Sequence, residues 1–597
     1  MLGAATIIDN ERLAKKISRS KLTKGLCSQQ LLSKSAYANY NLEFYLFINL
    51  LERLGFDTNN LEFIITKTDL DKINIRDNIQ SLILSKNYDK ALTLLNGSFD
   101  MLSAPSSIDS MLYQRTLAEI YFYKSRSKED FAKAQSHILD AIYITLPGIT
   151  TENFGEYLLS SFEYENILMY LQCLCVLGET DHAAPLLLRF YQVCLDTITS
   201  QSILSDILPK CTYILSTYCQ SKIEIKDLIA YVEYAISLLQ NNGILYLLLP
   251  LIDNLIQLYN KTGNNEKSSY WSPYKALLED LYAQYSPDTI QNSIFFKAHS
   301  FSLHLDNEVI AGERRFLSMS QLELASDVYQ SSVSVSRLEN KKSSPRKKNY
   351  DSIIKNLNLN KSRFGAFLPT TSMERLSLFE SLRINLNKNN YKQTLTALNQ
   401  IKPESDEEKE LLDAYKSIVT WNENKSCTLS SIKHLKSFIN KTYPLNATKY
   451  PRKPFKIEAD FLMAYITFVH EITPENAEDL LEKLKIAYES SSCNLKYDFR
   501  SYCGFLKSYI KYCLPNQSDK SASEFINAAI RYCITCSKGS GLIGLYWSIV
   551  LRDYALNKAG DIKIAYKSYM LAELYKNSSA PKRKAYYEKL LNYKKNV

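Results

Sequence analysis

The sequence predicts an all-α protein built as two related halves, each a small helix-turn-helix bundle followed by an array of helical hairpins. Three observations predict it. Glycine and proline number 16 each in 597 residues, so the punctuation that strands and tight turns need is scarce. Apolar residues recur at three- and four-residue spacing along most of the chain, the period of an amphipathic helix. The order of motifs in the first half returns in the centre at a nearly constant shift, which marks internal repetition. Length alone excludes a single core. The expected boundaries are a degenerate helix-turn-helix domain at 1–66, a helical array at 67–290, a helix-turn-helix domain at 291–368 and a second array at 369–597.

The first bundle runs from about Arg12 to Leu61. Its second helix is expected to start at Ser28 and to expose Gln29, Gln30, Ser33 and Lys34. Helical hairpins follow: Ile75–Leu84 with Tyr88–Leu95, Leu117–Tyr123 with Phe131–Ile144, and Phe162–Leu177 with His182–Leu195. Leu204–Cys219 pairs with Leu228–Leu239, and Ile244–Tyr259 with Ser268–Tyr285. Turns such as L-G-E-T-D at 177–181 and N-K-T-G-N-N at 260–265 separate them. Antiparallel pairs of this length stack into a solenoid whose concave face can hold a partner. Residues 286–303 join the halves, and Ile294-Phe295-Phe296 predicts an ordered connector.

The centre, Ser320 to Asn340, reads S-Q-L-E-L-A-S-D-V-Y-Q-S-S-V-S-V-S-R-L-E-N. Ser320 is the expected N-cap of a short helix, with Glu323 closing a capping box. Leu324, Ala325 and Val328 then share an inward face. After a polar break at Gln330-Ser331, Ser331 is expected to cap a second helix that turns Val335 and Leu338 inward. Ser332, Val333, Ser336, Arg337 and Asn340 fall on its other face, because residues one, four and five apart cluster on a helix. Two short helices and a tight turn make a helix-turn-helix.

The second array is expected from about 372 to 580, broken at Pro403-Glu404 and between Pro451 and Pro454. A basic amphipathic tail from Lys582 to Lys595 reads as a last capping helix. A shift of 303 positions lays Ser28–Ser33 on Ser331–Ser336 and Leu50–Phe56 on Ile353–Leu359. The same shift lays Lys86-Asn87-Tyr88 on Asn389-Asn390-Tyr391. A fainter echo pairs Glu233–Ile236 with Arg531–Ile534 and Gly243-Ile244 with Gly541-Leu542.

Composition narrows the function. The chain is 46% hydrophobic and 23% charged, with a net charge of +9, so any nucleic-acid argument rests on local charge. From 307 to 363 eleven basic residues face six acidic ones. The densest run, Lys341, Lys342, Arg346, Lys347 and Lys348, directly follows the second central helix. Twelve cysteines lack framework spacing, and Cys533 and Cys536 read as buried thiols. No cofactor and no metal is expected. The N-terminus meets Asp9 and Glu11 too early for a secretory segment. The apolar run Ile244–Ile252 contains Pro250 and is too short to span a bilayer, so a cytoplasmic chain without membrane contact is expected. No phosphate loop, H-E-x-x-H or nucleophile elbow occurs, and the chain is not expected to be an enzyme.

From Asn307 to Phe367 the spacing resembles the phage-repressor (XRE-like) helix-turn-helix, above all Q-L-E-L-A-x-x-V and R-L-E-N. Tyr329 departs from the glycine usual at that turn. The resemblance implies that Gln321 and Asn340 anchor to phosphates of double-stranded DNA while Ser332, Val333, Ser336 and Arg337 meet base edges. Lys341, Lys342, Arg346, Lys347 and Lys348 would then lie along the DNA backbone. N-Y-D-K-A-L-T-L-L at 87–95 and A-G-D-I-K-I-A-Y at 559–566 resemble the tetratricopeptide repeat, without its full consensus. G-L-C-S-Q-Q-L-L-S-K, at the first bundle, is similar to the variant in peptide-pheromone-responsive regulators of Gram-positive bacteria. That bundle is either a structural copy or a second DNA reader through Gln29, Gln30, Ser33 and Lys34. The resemblance implies a sequence-specific transcriptional regulator gated by a short signalling peptide in the array, as in quorum sensing. It would act as a homodimer or as an intrachain pseudo-dimer of its two motifs. The alternative is a helical-repeat adaptor that binds proteins and not DNA.

Overall fold

The computed structural model describes residues 4–37, 42–59, 61–100, 105–124, 127–285, 301–328, 331–341, 349, 352–353, 356–357, 378–379, 381–382, 385–386, 390–403, 406–424, 429–443, 452–472, 474–556, 558 and 560–595. Its architecture is an all-α helical-repeat fold. The N-terminal bundle comprises α1 (Ala4–Ala14), α2 (Arg19–Thr23), α3 (Gln29–Tyr37) and α4 (Phe44–Arg53). After β1 (Glu62–Ile65) come the hairpins α5 (Lys67–Leu84) with α6 (Tyr88–Asp100) and α7 (Ser107–Lys124) with α8 (Lys128–Thr145). They continue as α9 (Ser161–Leu177) with α10 (Thr180–Thr197), α11 (Gln201–Tyr218) with α12 (Ile225–Asn242), and α13 (Leu248–Lys261) with α14 (Asn265–Tyr285).

The second half opens on β2 (Ser302–Leu305) and the central bundle of α15 (Asp306–Phe316), α16 (Gln321–Asp327) and α17 (Ser332–Glu339). Its array comprises α18 (Tyr391–Gln400), α19 (Asp406–Asn424), α20 (Leu429–Thr442), α21 (Lys456–Ile472) and α22 (Pro474–Glu489). It ends with α23 (Phe499–Tyr512), α24 (Asp519–Thr535), α25 (Gly539–Ala555), α26 (Ile562–Leu574) and α27 (Ala580–Lys595). Among the described residues no helix is long and apolar enough to cross a membrane.

Helix ends follow local chemistry. Thr66 with Asp69 and Ser160 with Glu163 close full capping boxes at α5 and α9, each satisfying two orphan backbone donors. Gly178 ends α9 at φ 95°, in the turn that the sequence marks as a break. The expected connector lies outside the described residues up to 300.

The two strands are absent from the sequence reading. β1 and β2 pair in parallel, Phe63 opposite Leu303 and Ile65 opposite Leu305, and are buried throughout. Four apolar-rich residues are too few for periodicity to separate strand from helix, and the pairing spans most of the first half. Around the strands, Phe44, Phe63 and Phe301 stack edge to face with centroids 5.4–5.8 Å apart. Glu62 accepts hydrogen bonds from His304 Nε2 and from the Lys456 amide, each at 2.8 Å. Burial holds His304 well below the usual imidazole range, so the neutral ring donates. Lys453 reaches Leu303 O at 2.7 Å and Asp498 at 3.2 Å. The small sheet thus joins the first bundle, the central bundle and the second array.

The arrays meet again at their far ends. Ile244 and Lys538 form an antiparallel bridge, with Leu245 N donating to Ser537 O at 2.9 Å and Ser540 N to Gly243 O at 3.3 Å. Each strand of the bridge leaves a helix by the same left-handed exit. Gly243 ends α12 at φ 64° and Ser537 follows α24 at φ 57°. A Cβ on Gly243 would lie 2.6 Å from that of Ser540, so both conformation and space require glycine there.

Candidate nucleic-acid interface

Ser320 and Ser331 cap the two central helices as expected. Glu323 N donates to Ser320 Oγ at 3.1 Å, and Ser334 N to Ser331 Oγ at 3.2 Å. Leu324, Ala325, Val328, Val335 and Leu338 form a core with Val309, Ile310, Ile353 and Leu357, and Ile64 and Phe455 extend it toward the sheet and the second array. Three-helix packing of this kind fixes the direction of α17 relative to α15.

A polar clamp tightens the arrangement. The Glu339 side chain, 4% exposed, accepts from Arg314 at 2.5 and 3.0 Å and from Gln321 Nε2 at 2.7 Å. Arg314 also reaches Met319 O, and Asn307 caps the end of α17 by donating to Leu338 O at 2.6 Å. One carboxylate therefore ties α15, α16 and α17 together, and charge-assisted bonds of this type are the stronger kind. The sequence reading missed the clamp, although Glu339 stands inside the R-L-E-N signature.

On the other side of α17, Val333 is 57% exposed, and Arg337 and Asn340 are exposed. Ser332 and Ser336 are half-buried. No ion pair or hydrogen bond holds the Arg337 guanidinium among the described residues. Gln321 is half-buried, with its amide turned to Glu339. Lys341 takes φ 61° and binds Glu308 at 2.7 Å as well as Ser492 Oγ, so its charge is engaged within the chain. Tyr329, Lys342, Arg346, Lys347 and Lys348 lie outside the described residues.

The N-terminal bundle repeats the plan. Arg12 donates to Ile17 O at 2.8 Å as Arg314 does to Met319 O. Lys16 and Ser318 both take φ 55° at the first turn. Ser18 caps α2 as Ser320 caps α16, and Leu31 N donates to Ser28 Oγ at 3.1 Å. Gln29 and Gln30 are exposed and Ser33 is half-buried. Lys34 falls within α3, and its side chain lies outside what is described.

Both bundles are locked to their arrays through a carboxylate in the first turn of a helix. Glu163 of α9 accepts Arg53 Nε at 3.0 Å, while the same guanidinium reaches Leu22 O and Lys24 O at 2.9 and 2.7 Å. Glu458 of α21 takes both Arg452 Nη atoms at 2.7 and 2.8 Å, and Arg452 Nε reaches Glu313 of α15 at 2.8 Å. The two carboxylates play one local role besides: Ser160 N donates to Glu163 at 2.8 Å and Phe455 N to Glu458 at 2.9 Å.

The arrays hold further chemistry that periodicity did not reveal. Arg115 pairs with Glu119 at 3.1 Å and with Glu165, which also accepts Lys210, and Lys210 reaches Asp206 at 2.8 Å. This chain of buried charges sits where α7, α9 and α11 meet. An apolar pocket of about 110 Å³ opens between α8, α9 and α10, lined by Phe154, Tyr143, Tyr170 and Phe190. Among the described residues no three His, Cys, Asp or Glu side chains cluster as metal ligands do.

No protein-family model matches the chain, and no curated protein does. One solved structure with some likeness is that of Bacillus thuringiensis PlcR in complex with the peptide PapR7 and DNA. It shares 17% identity, over 48% of this chain and 98% of that one, at a TM-score of 0.30. A TM-score that low fixes neither fold nor function for this chain.

Proposed function

We propose that the chain is a sequence-specific DNA-binding regulator of transcription that reads a duplex through α17. The observation that supports this most is the combination of a clamped helix with an unclaimed outer face. The Arg314–Glu339–Gln321 network holds α17 still, while Val333 and Arg337 face solvent with no partner among the described residues. A recognition helix needs both properties. Arg337 then reads guanine through O6 and N7, Val333 meets a thymine methyl, Ser332 and Ser336 reach neighbouring edges, and Asn340 and Gln321 hold phosphates. Lys342, Arg346, Lys347 and Lys348 supply sequence-independent affinity, while Lys341 is engaged by Glu308.

The reading extends to both halves as duplicated units and to an intrachain pseudo-dimer, supported by the matched caps, the matched Glu163 and Glu458 locks and the Ile244–Lys538 bridge. It includes a short peptide as a second ligand, of which the apolar pocket of about 110 Å³ beside Phe154 has room for one side chain. It assigns no catalysis.

Gel shift of the full chain on duplex fragments tests the proposal. Saturable retention is expected, with log K falling by about 0.9 per neutralised phosphate for each unit of log salt. Arg337→Ala relaxes the preference for cognate over random duplex, whereas Lys347→Ala weakens both alike. Absence of retention at low salt, with and without candidate peptides, leaves the adaptor as the reading that stands.

A further inference from the structure

The two bundles match at a shift of 302 up to the caps Ser18 and Ser320 and at 303 from the caps Ser28 and Ser331, one residue longer at the central turn, so the outward residues that follow the second caps can be compared. The matched caps Ser28 and Ser331 place Gln29 beside Ser332, Gln30 beside Val333, Ser33 beside Ser336 and Lys34 beside Arg337. The caps agree and the outward side chains do not. Gln29 and Gln30 are exposed, and among the described residues no group holds their amides. A glutamine amide offers one donor and one acceptor, which match adenine N6 and N7. An arginine fork matches guanine O6 and N7, and valine suits a thymine methyl.

The two bundles sit in one covalent frame. An antiparallel bridge between the left-handed exits Gly243-Ile244 and Ser537-Lys538 joins the arrays, and each bundle is bound to its array through a carboxylate, Glu163 or Glu458. One chain carrying two reading helices suits two half-sites on one duplex. We infer that the duplex this chain takes is non-palindromic, with an adenine-rich half-site under α3 and a half-site carrying guanine and thymine under α17. The inference rests on the DNA-binding reading, and it makes Gln29 and Gln30 specificity-determining residues rather than remnants.

Selection of duplexes from a random pool by the full chain, followed by competition binding, tests it. The expected consensus has two unlike halves. Arg337→Gln shifts the base preferred in the guanine half alone, with a roughly 5- to 150-fold loss on the original site. Gln29→Ala with Gln30→Ala flattens selection in the adenine half alone and leaves the guanine half as it was. A palindromic consensus in which both halves respond to Arg337→Gln overturns the inference in favour of two chains using α17 twice. A single half-site indifferent to Gln29 and Gln30 overturns it by making the first bundle structural. In both of those outcomes DNA binding itself stands; if the pool yields no enriched duplex and low-salt retention is also absent, the underlying reading falls with it.

Discussion

In both bundles an arginine near the end of the first helix donates to the carbonyl five residues on, Arg12 to Ile17 and Arg314 to Met319. Its remaining donors go to different places. Arg12 turns back to Asp9 on its own helix, which Arg19 of α2 also reaches. Arg314 crosses to Glu339 on α17. The central bundle therefore carries its own brace for the second helix, whereas among the described residues no such ion pair reaches α3. Arg53 reaches from α4 to Glu163, and Gly25 lies against Thr145 so closely that a Cβ would fall 2.0 Å from that carbonyl oxygen. Both bundles are bound to an array, through Arg53–Glu163 and Arg452–Glu313, and they differ in that the central one adds an internal ion pair to its outward helix.

The largest effect that would break this comparison comes from Arg53→Met. It leaves Glu163 buried without its guanidinium, a loss of about 3–5 kcal/mol. Hydrogen exchange should show α2 and α3 loosening together with the first turn of α9, while α16 and α17 keep their protection. Equal loosening of both bundles would deny that the Arg53–Glu163 contact acts on the first bundle alone.

Next in size is a difference in pH response. Burial pushes the Asp306 carboxyl, at the start of α15, up to about 6. A carboxyl raised on folding favours the folded state while protonated, so its contribution is full below about pH 4 and is lost as pH rises through 6, roughly 3 kcal/mol in all. Asp9 runs the other way: the hydrogen bond from Arg19, with help from Arg12, holds it below the usual range. Its contribution is present above the unfolded value and is lost as pH falls through the folded one. Between pH 3 and 6, exchange protection should therefore rise in α1–α2 and fall in α15. Asp306→Asn should abolish the fall and leave the rise.

The smallest effect sharpens the comparison at the caps. Ser18→Ala and Ser320→Ala should each cost about 1 kcal/mol by denaturant titration. Ser320→Ala should cost more, because its box with Glu323 is reciprocal whereas Ser18 takes the Lys21 amide with no box to return it.

What the sequence makes legible is what short-range chemistry decides. The serine caps, the Gly178 break and the inward faces of α16 and α17 follow from spacing alone. The outward face of α17 follows too, since it is the remainder once the core residues are placed. Glu163, Glu165, Arg115 and Lys210 were illegible, because charged residues at helical spacing read as a solvated face until a partner from another helix covers them. The strands were illegible for a related reason: Glu62–Ile65 has no partner within its own half. Gln321 shows a subtler gap. The resemblance marks it for phosphate, yet its amide is already given to Glu339, so its contact with DNA and its support of α17 share one side chain.

Because Ile244 and Lys538 belong to one polypeptide, the union of the arrays there does not weaken on dilution, and its occupancy is independent of how many copies a cell holds.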